Sequence, residues 1–298
     1  MDFKLTQDGA HGFDPTAAFA WTDPNSPEII WSSDYSKGST LEKLFYPAGF
    51  LGTGSLGPTQ ELVDAFPAAN GYPIGHPLAD YDKDAPYANR DPRFYSVLFY
   101  NGAEVRRITN NELMYTFDTS VGGRDEAGGV NNTMTNYYIR KYIYLGWNKD
   151  DDKVQTMPKS IFFMRWTHMC LIFAEAANEA WGPDGQGTVG YSARDVIARI
   201  RSTGGITPDQ YLPTVATQAD MRRLIRNERR LELAFENQRF WDVRRWKDEQ
   251  AMMRAATGTR DGGKTAFEVE SRVFMDYMIY GPIPYDEQMK GLEQNRGW

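Results

Sequence analysis

The segment 217–246 constrains the fold more than any other part of the sequence, because its apolar residues fit one kind of regular structure. It reads TQADMRRLIRNERRLELAFENQRFWDVRRW. The apolar positions recur every three or four residues, which predicts a long amphipathic helix with one buried face. These positions are Met221, Leu224, Ile225, Leu231 and Phe235. Thr217, three residues before Asp220, is typical of a helix N-cap. The aromatic and basic stretch 239–246 follows at once, so we predict a helical hairpin over 217–250.

The charged residues of this helix divide between a solvated face and the apolar stripe. Most of its arginines are expected to face water and to pair with nearby acids, as Arg229 and Glu232 would on the surface. Glu228 differs because it falls beside the apolar stripe, where a carboxylate requires a partner. We therefore expect a buried or half-buried ion pair between Glu228 and an arginine from another segment.

A second helical hairpin is predicted over residues 161–203. The run 161–181 is apolar nearly all round, which predicts a central helix, and its charged residues exclude a membrane span. Ser192 with Asp195 is typical of a capping box at the start of the next helix. Two consecutive hairpins indicate a mainly α fold with a tetratricopeptide-like stack.

The first half of the chain lacks a clean helical period and is punctuated by proline and glycine. One helix is predicted there, over 59–66 after Pro58. The predicted strands are 28–35, 94–100, 105–117, 136–145 and, near the C-terminus, 274–280. We expect a single region, with a loop-rich ligand-binding part over 1–157 packed against the helical hairpins and C-terminal turn of 158–298.

Five stretches of the sequence resemble one known family. The run NERRLELAFENQRFWDVRRW resembles the C-terminal signature of the SusD/RagB family of outer-membrane nutrient-binding lipoproteins. Four further stretches resemble the same family in the same order: PTQELVDAF with GYPI, YANRDPRFYSVLFYNG, FMRWTHMCLIFAEAANEA and PIPYDEQMKGLEQNRGW. Each stretch alone is weakly specific, but five in order are a strong match, extending from about residue 58 to the C-terminus.

The resemblance implies a surface protein that captures oligosaccharides, without chemistry of its own, for import through a partner SusC-like TonB-dependent porin of the outer membrane. Members usually begin with a lipoprotein signal, a lipidated cysteine and several helices. None of these is visible here, so the chain is interpreted as the C-terminal part of a member whose full-length form has a lipid anchor. Three alternatives stay open: a peptide ligand, a helical protein-interaction module, and a glycoside hydrolase with an unrecognised carboxylate pair.

In members of the family an arc of surface aromatic residues stacks on the ligand. Aromatic residues in loops rich in Asn, Asp and Gly are therefore the candidates here, because a ring covers the sugar face while short polar groups reach the hydroxyls. The candidate ligand-binding residues are Trp21, Tyr46, Trp147, Tyr35 and Tyr72.

The motif RDPR at 90–93 is assigned to the scaffold, because Pro92 favours an extended Asp91 whose carboxylate caps or pairs locally.

Composition and motifs argue against several other classes. The net charge of −7 and a pI near 5.2 argue against a general nucleic-acid binder. The single cysteine, Cys170, excludes an intrachain disulfide, and His168 falls in the predicted central helix as a core histidine. Neither HExxH nor GxSxG occurs, and the GxGxxG at 52–57 lacks the long helix of a dinucleotide site. Residues 150–152 are interpreted as a charged turn. We predict no catalytic residue, no metal and no cofactor.

Overall fold

The computed structural model describes residues 25–34, 36–38, 40–107, 110–143 and 158–298. Within these ranges the helices are α1 (Thr40–Phe45), α2 (Gln60–Ala65), α3 (Pro92–Val97), α4 (Trp166–Trp181), α5 (Ala193–Thr203), α6 (Gln218–Glu232), α7 (Arg239–Arg245), α8 (Glu249–Met253) and α9 (Tyr285–Gln288). The strands are β1 (Ile29–Ser32), β2 (Ser36–Lys37), β3 (Leu98–Phe99), β4 (Glu104–Arg106), β5 (Leu113–Thr116), β6 (Tyr138–Ile139), β7 (Pro158–Lys159), β8 (Phe162–Arg165), β9 (Ala256–Arg260) and β10 (Thr265–Glu270).

The fold is mainly α, as predicted, and α4 lies at the centre of its helical part. Helix α4 packs against both α5 and α6. Their facing apolar residues form one core, which includes Trp166, Cys170, Leu171, Val196, Ile197, Ile200, Met221, Leu224 and Ile225. Both predicted caps are present: Ser192 and Asp195 form a capping box before α5, and the Thr217 hydroxyl accepts the Asp220 N–H at 3.1 Å before α6.

The predicted start of the central helix at residue 161 is wrong. Helix α4 begins at Trp166, and the residues before it form β8, which pairs antiparallel with β1. The pairing places Arg165 opposite Ile29. Because the partner strand is remote in sequence, local periodicity gives no sign of it. The strand at 28–35 and the helix at 59–66 are confirmed, as β1 and α2.

Residues 94–100, predicted as a buried strand, are mostly helical. Helix α3 occupies Pro92–Val97, and the short strand β3 after it pairs with β6. The predicted strand 105–117 is instead represented by two short strands, β4 (Glu104–Arg106) and β5 (Leu113–Thr116), which pair with each other. The Asp91 carboxylate accepts the Arg93 N–H at 2.9 Å, and Pro92 fills the first turn. This cap starts a helix in an apolar run whose composition alone is equally typical of a strand.

The predicted strand at 274–280 is also wrong, because residues 276–279 form a 3₁₀ turn. The strand pair in this part of the chain is β9 with β10, which the sequence analysis missed. Asp261 and Gly262 in the turn between them have φ of 52° and 66°. An Asp-Gly turn of this kind is the local signal for a hairpin.

Two further apolar clusters fill the loop-rich part. One contains Phe45, Tyr46, Phe50, Phe99, Val105, Tyr115, Phe117 and Tyr138. The other contains Val63, Phe66, Phe94, Val97, Leu98, Tyr137, Leu231 and Ala234. The second cluster includes residues from the end of α6 as well as from α2 and α3. It therefore joins the loop-rich part to the helical part, so α6 is shared between both halves of the fold.

A network of ion pairs connects α6 to its neighbours. Glu228, Glu232 and Glu236 are spaced four residues apart and project from one side of α6 and the turn after it. Each carboxylate bridges two cations. The central ion-pair network runs in the order Arg201, Glu228, Arg93, Glu232, Arg165, Glu236 and Lys141.

The contacts of the network are short and shielded from water. Glu228 lies 2.8 Å from Arg93 and 2.5 Å from Arg201, and Glu232 lies 3.1 Å from Arg93 and 3.0 Å from Arg165. The Glu228 side chain is fully buried. Since these arginines belong to α3, β8 and α5, the network holds three separate elements against α6.

The prediction of a buried ion pair for Glu228 is therefore confirmed. The predicted surface pair of Arg229 with Glu232 is wrong, because Arg229 is buried and lies 2.9 Å from Asp242 on α7. The sequence spacing allowed both pairings, and the packing of α7 decides between them.

The motif at 90–93 belongs to the scaffold, as predicted. Arg90 is only 2% exposed and donates hydrogen bonds to the carbonyls of Val63, at 2.5 Å, and Phe66, at 2.9 Å, where α2 ends. Asp91 is fully buried and caps α3, while Arg93 belongs to the central ion-pair network. The motif thus fixes α2, α3 and α6 relative to one another.

We expect Glu228→Ala to lower the free energy of unfolding by roughly 3 kcal/mol or more, because it leaves Arg93 and Arg201 buried without one of their carboxylates. Urea unfolding monitored by circular dichroism measures the change. The matched control is Glu293→Ala, which removes an exposed carboxylate and should change stability by less than about 0.5 kcal/mol. Equal stability of the two variants would contradict the prediction.

The network also predicts how stability depends on pH. Burial raises the pKa of Glu232, but the neighbouring charges of Arg165, Arg93 and Lys141 outweigh it and hold the pKa at about 2, below the ordinary 4.5. A lowered carboxyl pKa contributes stability that is complete above pH 4.5 and is lost as the pH falls towards 2. We expect Glu232→Gln to be less stable than the wild type at pH 7. The stability difference between the two proteins should shrink between pH 4.5 and 2, as urea midpoints would show.

Candidate functional site

An open cleft of about 840 Å³ lies between the helical part and the C-terminal segment. We call it the arginine cleft. One wall consists of the start of α2, the turn between α6 and α7, and helices α7 and α8, and the other consists of residues after β10 together with Trp298. Its lining includes Glu61, Leu62, Arg230, Phe235, Asn237, Gln238, Arg239, Phe240, Arg244, Met252, Arg254, Glu270, Arg272, Phe274 and Trp298.

Helix α7, which supplies Arg239, Phe240 and Arg244, is held from its opposite side. The buried pair of Arg229 with Asp242 joins it to α6. Glu175 on α4 binds Arg245 at 2.5 Å. These contacts lie on the side of α7 that faces α4 and α6, so the remaining side is left to line the cleft.

The turn between α6 and α7 has an unusual backbone. Phe235 and Asn237, which both line the cleft, have φ of 64° and 59°. Asn adopts this left-handed region readily, but for a bulky residue such as Phe it costs on the order of 1–3 kcal/mol. Packing of Phe235 against the two clusters of the loop-rich part offsets that cost. The turn thus places Arg239 and Phe240 at the cleft.

The hairpin of β9 and β10 supports the opposite wall. The Thr257 hydroxyl donates to Glu61 on α2 at 2.7 Å, and the Asn136 amide donates to the Thr259 carbonyl at 2.7 Å. These bonds fix the hairpin against the loop-rich part. The chain leaving β10 then passes along the cleft, where Arg272 and Phe274 line it.

Two aromatic side chains in the cleft are accessible to a ligand. Phe240 is 52% exposed, with the Arg244 guanidinium 3.5 Å from its ring centroid. Trp298 is 47% exposed, packs edge-on against Tyr277, and donates its indole N–H to the Tyr280 carbonyl at 2.9 Å. Asn237 and Gln238 add amide groups that donate and accept hydrogen bonds. Rings and amides together are the combination that sugar binding requires.

The cleft is strongly cationic. Its lining contains five arginines against two glutamates, although acidic residues outnumber basic ones, 40 to 33, in the whole chain. In the part of the chain that the structure describes, no carboxylate lies within 4.0 Å of the side chains of Arg230, Arg239 or Arg254. None of these three charges forms an ion pair within the described ranges.

Burial and mutual repulsion both act on these arginines. The pKa of Arg230 falls from 12.5 to about 10, first because the group is buried and then because Arg239 and Arg254 are close, although Glu61 opposes the fall. The pKa of Arg239 is also lowered, chiefly by burial. A pKa of about 10 leaves Arg230 charged at neutral pH, so the cleft keeps a positive potential that an anion would relieve.

The pKa of Glu61 in the cleft differs from that of a glycosidase acid. A glycosidase acid needs a raised pKa to stay protonated. For Glu61, burial raises the pKa, but hydrogen bonds from Thr257 and Thr59 outweigh it and the net shift is downward. The described residues also contain no group of three or more His, Cys, Asp or Glu side chains arranged to hold a metal.

The structure places two of the predicted ligand-binding residues in the interior. Tyr46 is fully buried, with Phe50 at 4.5 Å and Phe99 at 6.1 Å between ring centroids. Tyr72 is 5% exposed and stacks on His76 at 4.5 Å. Rings enclosed in this way have no free face for a sugar, so both are packing residues in this fold. Trp21, Tyr35 and Trp147 lie outside the described residues, and for them the prediction stays a prediction.

A second accessible aromatic surface was missed by sequence reasoning. Trp31 on β1 and Phe163 on β8 are 63% and 47% exposed, with ring centroids 4.9 Å apart. The sequence could have indicated this surface, because Trp31 lies in the predicted strand 28–35 and one face of such a strand is exposed to solvent. For the arginine cleft, the sequence indicates only one wall, through the aromatic and basic stretch 239–246. The other wall comes from a distant part of the chain, so local sequence does not predict it.

Comparison with known proteins identifies the family. The model of the SusD family matches residues 27–298. A SusD-like protein from Bacteroides fragilis is 29% identical with a TM-score of 0.75, and the alignment covers 98% of this chain and 58% of that one. A SusD-like carbohydrate-binding protein from the same species is 20% identical with a TM-score of 0.72, covering 94% and 57%.

A further solved structure, surface glycan-binding protein A from Bacteroides thetaiotaomicron, is 20% identical with a TM-score of 0.51, covering 96% of this chain and 56% of that one. At this identity the likeness shows the fold alone. The chain thus spans somewhat more than half the length of these structures. A search of curated proteins finds no match. With the family model matching almost every residue that the structure describes, the chain belongs to the SusD family.

Proposed function

We propose that this protein captures oligosaccharides without chemical conversion and that the arginine cleft is a binding surface for them. The observation that supports this most directly is the combination in one open cleft of exposed rings, Phe240 and Trp298, with amide groups and with guanidinium groups that have no carboxylate partner among the described residues. Ring faces cover the apolar side of a sugar, and the polar groups meet its hydroxyls. Each contact is weak, and several acting together give useful affinity.

Two further observations support a binding role. The cleft is open to solvent rather than enclosed, which leaves room for a ligand that extends beyond it. The lowered pKa of Glu61 keeps that carboxylate ionised, so it is a hydrogen-bond acceptor rather than a general acid. Names of similar structures, a carbohydrate-binding protein and a glycan-binding protein, agree with this class of ligand.

We also propose that the whole protein works at the outer-membrane surface and passes its ligand to a SusC-like TonB-dependent porin. This part of the proposal derives from family membership. In the described ranges, no helix is both long and apolar enough to cross a membrane. Affinity purification of the tagged protein from membranes of its own host, followed by mass spectrometry, tests the partner. Repeated recovery without such a porin would contradict it.

The cleft predicts which aromatic substitutions weaken binding. We expect Phe240→Ala and Trp298→Ala each to reduce oligosaccharide affinity by about 1–3 kcal/mol, taking base–ring stacking as a rough guide. Isothermal titration with the best ligand from a glycan panel measures the effect. Tyr285→Ala is the control, because Tyr285 is 72% exposed and lies outside the cleft. Equal affinities for all three variants and the wild type would refute the cleft as the binding surface.

The predicted aromatic residues of the loops are an alternative binding site for the same oligosaccharide ligand. Alanine at Trp21, Tyr35 and Trp147 should weaken binding by a similar amount if these loops supply the ligand surface, since the same stacking contacts are lost. The same titration compares these three variants with Phe240→Ala. A loss confined to the loop variants would keep the proposed function but move its site away from the arginine cleft.

A further inference from the structure

The charge of the arginine cleft is opposite to that of the protein. The chain has a net charge of −7, yet Arg230, Arg239 and Arg254 converge on one cleft without a carboxylate partner among the described residues. Neighbouring arginines elsewhere behave differently. Arg229, one residue before Arg230, is paired with Asp242, and Arg201 is paired with Glu228 and Asp209. Arg229 and Arg201 thus have carboxylate partners, whereas the described residues provide none for the three arginines of the cleft.

We propose that the arginine cleft recognises the anionic groups of an acidic oligosaccharide, the carboxylates of uronic acid residues or sulfate esters. This inference rests on the proposed function and specifies its ligand class. Three guanidinium groups would meet the acidic groups, and the rings of Phe240 and Trp298 would stack on the sugar residues between them.

The physical reason is the cost of the charge arrangement in the free protein. Arg230 and Arg239 are partly buried and lose part of their hydration without gaining a carboxylate partner, and the exposed Arg254 adds a third charge of the same sign. An anion removes that cost on binding, whereas a neutral sugar does not. The planar guanidinium group also binds carboxylate and sulfate oxygens through two parallel hydrogen bonds, which adds geometric selectivity.

The chemistry of the lining favours a sugar over an acidic peptide. The cleft pairs its arginines with exposed ring faces and with the amides of Asn237 and Gln238, which suit hydroxyl-rich rings. An extended peptide is usually held by main-chain hydrogen bonds to a free strand edge. Here Arg230 lies on α6, Arg239 on α7 and Arg254 between α8 and β9, and of the described strands only the end of β10, at Glu270, lines the cleft.

The test compares matched ligands by isothermal titration. The carboxylate arm uses tetragalacturonate and its fully methyl-esterified form, which has the same sugar rings without charge. The sulfate arm uses a sulfated carrageenan oligosaccharide and its desulfated form. Tetraglutamate serves as the acidic peptide. We expect at least one acidic oligosaccharide to bind roughly tenfold or more tighter than its neutral form, the size of one charged hydrogen bond. Raising the salt concentration should reduce this preference.

Substitutions in the cleft test whether its arginines cause the preference for acidic ligands. Arg239→Gln and Arg254→Gln should each reduce the ratio of acidic-ligand to neutral-ligand affinity about tenfold. Arg223→Gln is the matched control, because it removes the same charge from an exposed position on α6 outside the cleft. Thermal unfolding provides a second readout. Removing one charge of the unpaired set should leave the melting temperature unchanged or raise it, whereas removing a structural arginine lowers it.

The outcomes separate this inference from the proposed function. Equal binding of acidic and neutral forms overturns the anionic preference and leaves oligosaccharide capture standing. Failure of both acidic oligosaccharides to bind overturns the inference, as does equally tight binding of tetraglutamate. A preference that survives Arg239→Gln and Arg254→Gln overturns the assignment to this cleft. If no oligosaccharide of a broad neutral and acidic panel binds, the proposed function fails as well.

Discussion

The central ion-pair network is the interaction on which the rest of the structure depends. Helix α6 contributes a row of carboxylates, and α3, β8 and α5 each contribute an arginine to it. Each of these charges would be costly to bury alone, and each is tolerated because its neighbour in the row compensates it. Carboxylates and cations alternate along α6. If α3, β8 or α5 moved away from α6, a buried charge would therefore lose its partner. The network thus specifies how the elements are arranged, more than it adds to net stability.

The same helix determines where the ligand surface lies. One side of α6 and the turn after it holds the network. Arg229 on α6 binds α7 through Asp242, and Arg230 lines the cleft. Adjacent arginines in the sequence therefore have opposite roles, and the difference lies in which side of the helix each occupies. A buried cation that has a carboxylate partner stabilises the fold, while a half-buried cation without one is available to a ligand.

Backbone strain and unpaired charge occur together at one wall of the cleft. The left-handed backbone of Phe235, the unpaired Arg230 and the lowered pKa of that arginine all occur at the same wall. Unfavourable features of this kind persist only where the surrounding packing holds them in place. Here the packing comes from the clusters around Phe235 and from the ion pairs that hold α7 and α6. The stable part of the molecule supports the surface that we propose for an anionic ligand.

Sequence reasoning determined the features that depend on local spacing. The period of α6, the caps at Ser192 and Thr217, the need of Glu228 for a partner and the burial of Cys170 follow from residues within a few positions of one another, and the resemblance of five ordered stretches identified the family. What the sequence left undecided depends on partners remote along the chain. Strand β8 exists because β1 pairs with it, and Tyr46 is a core residue because Phe50 and Phe99 enclose it. Which arginines are structural and which face the cleft was decided only in the tertiary structure, because each role depends on whether a distant carboxylate or carbonyl oxygen reaches the guanidinium group.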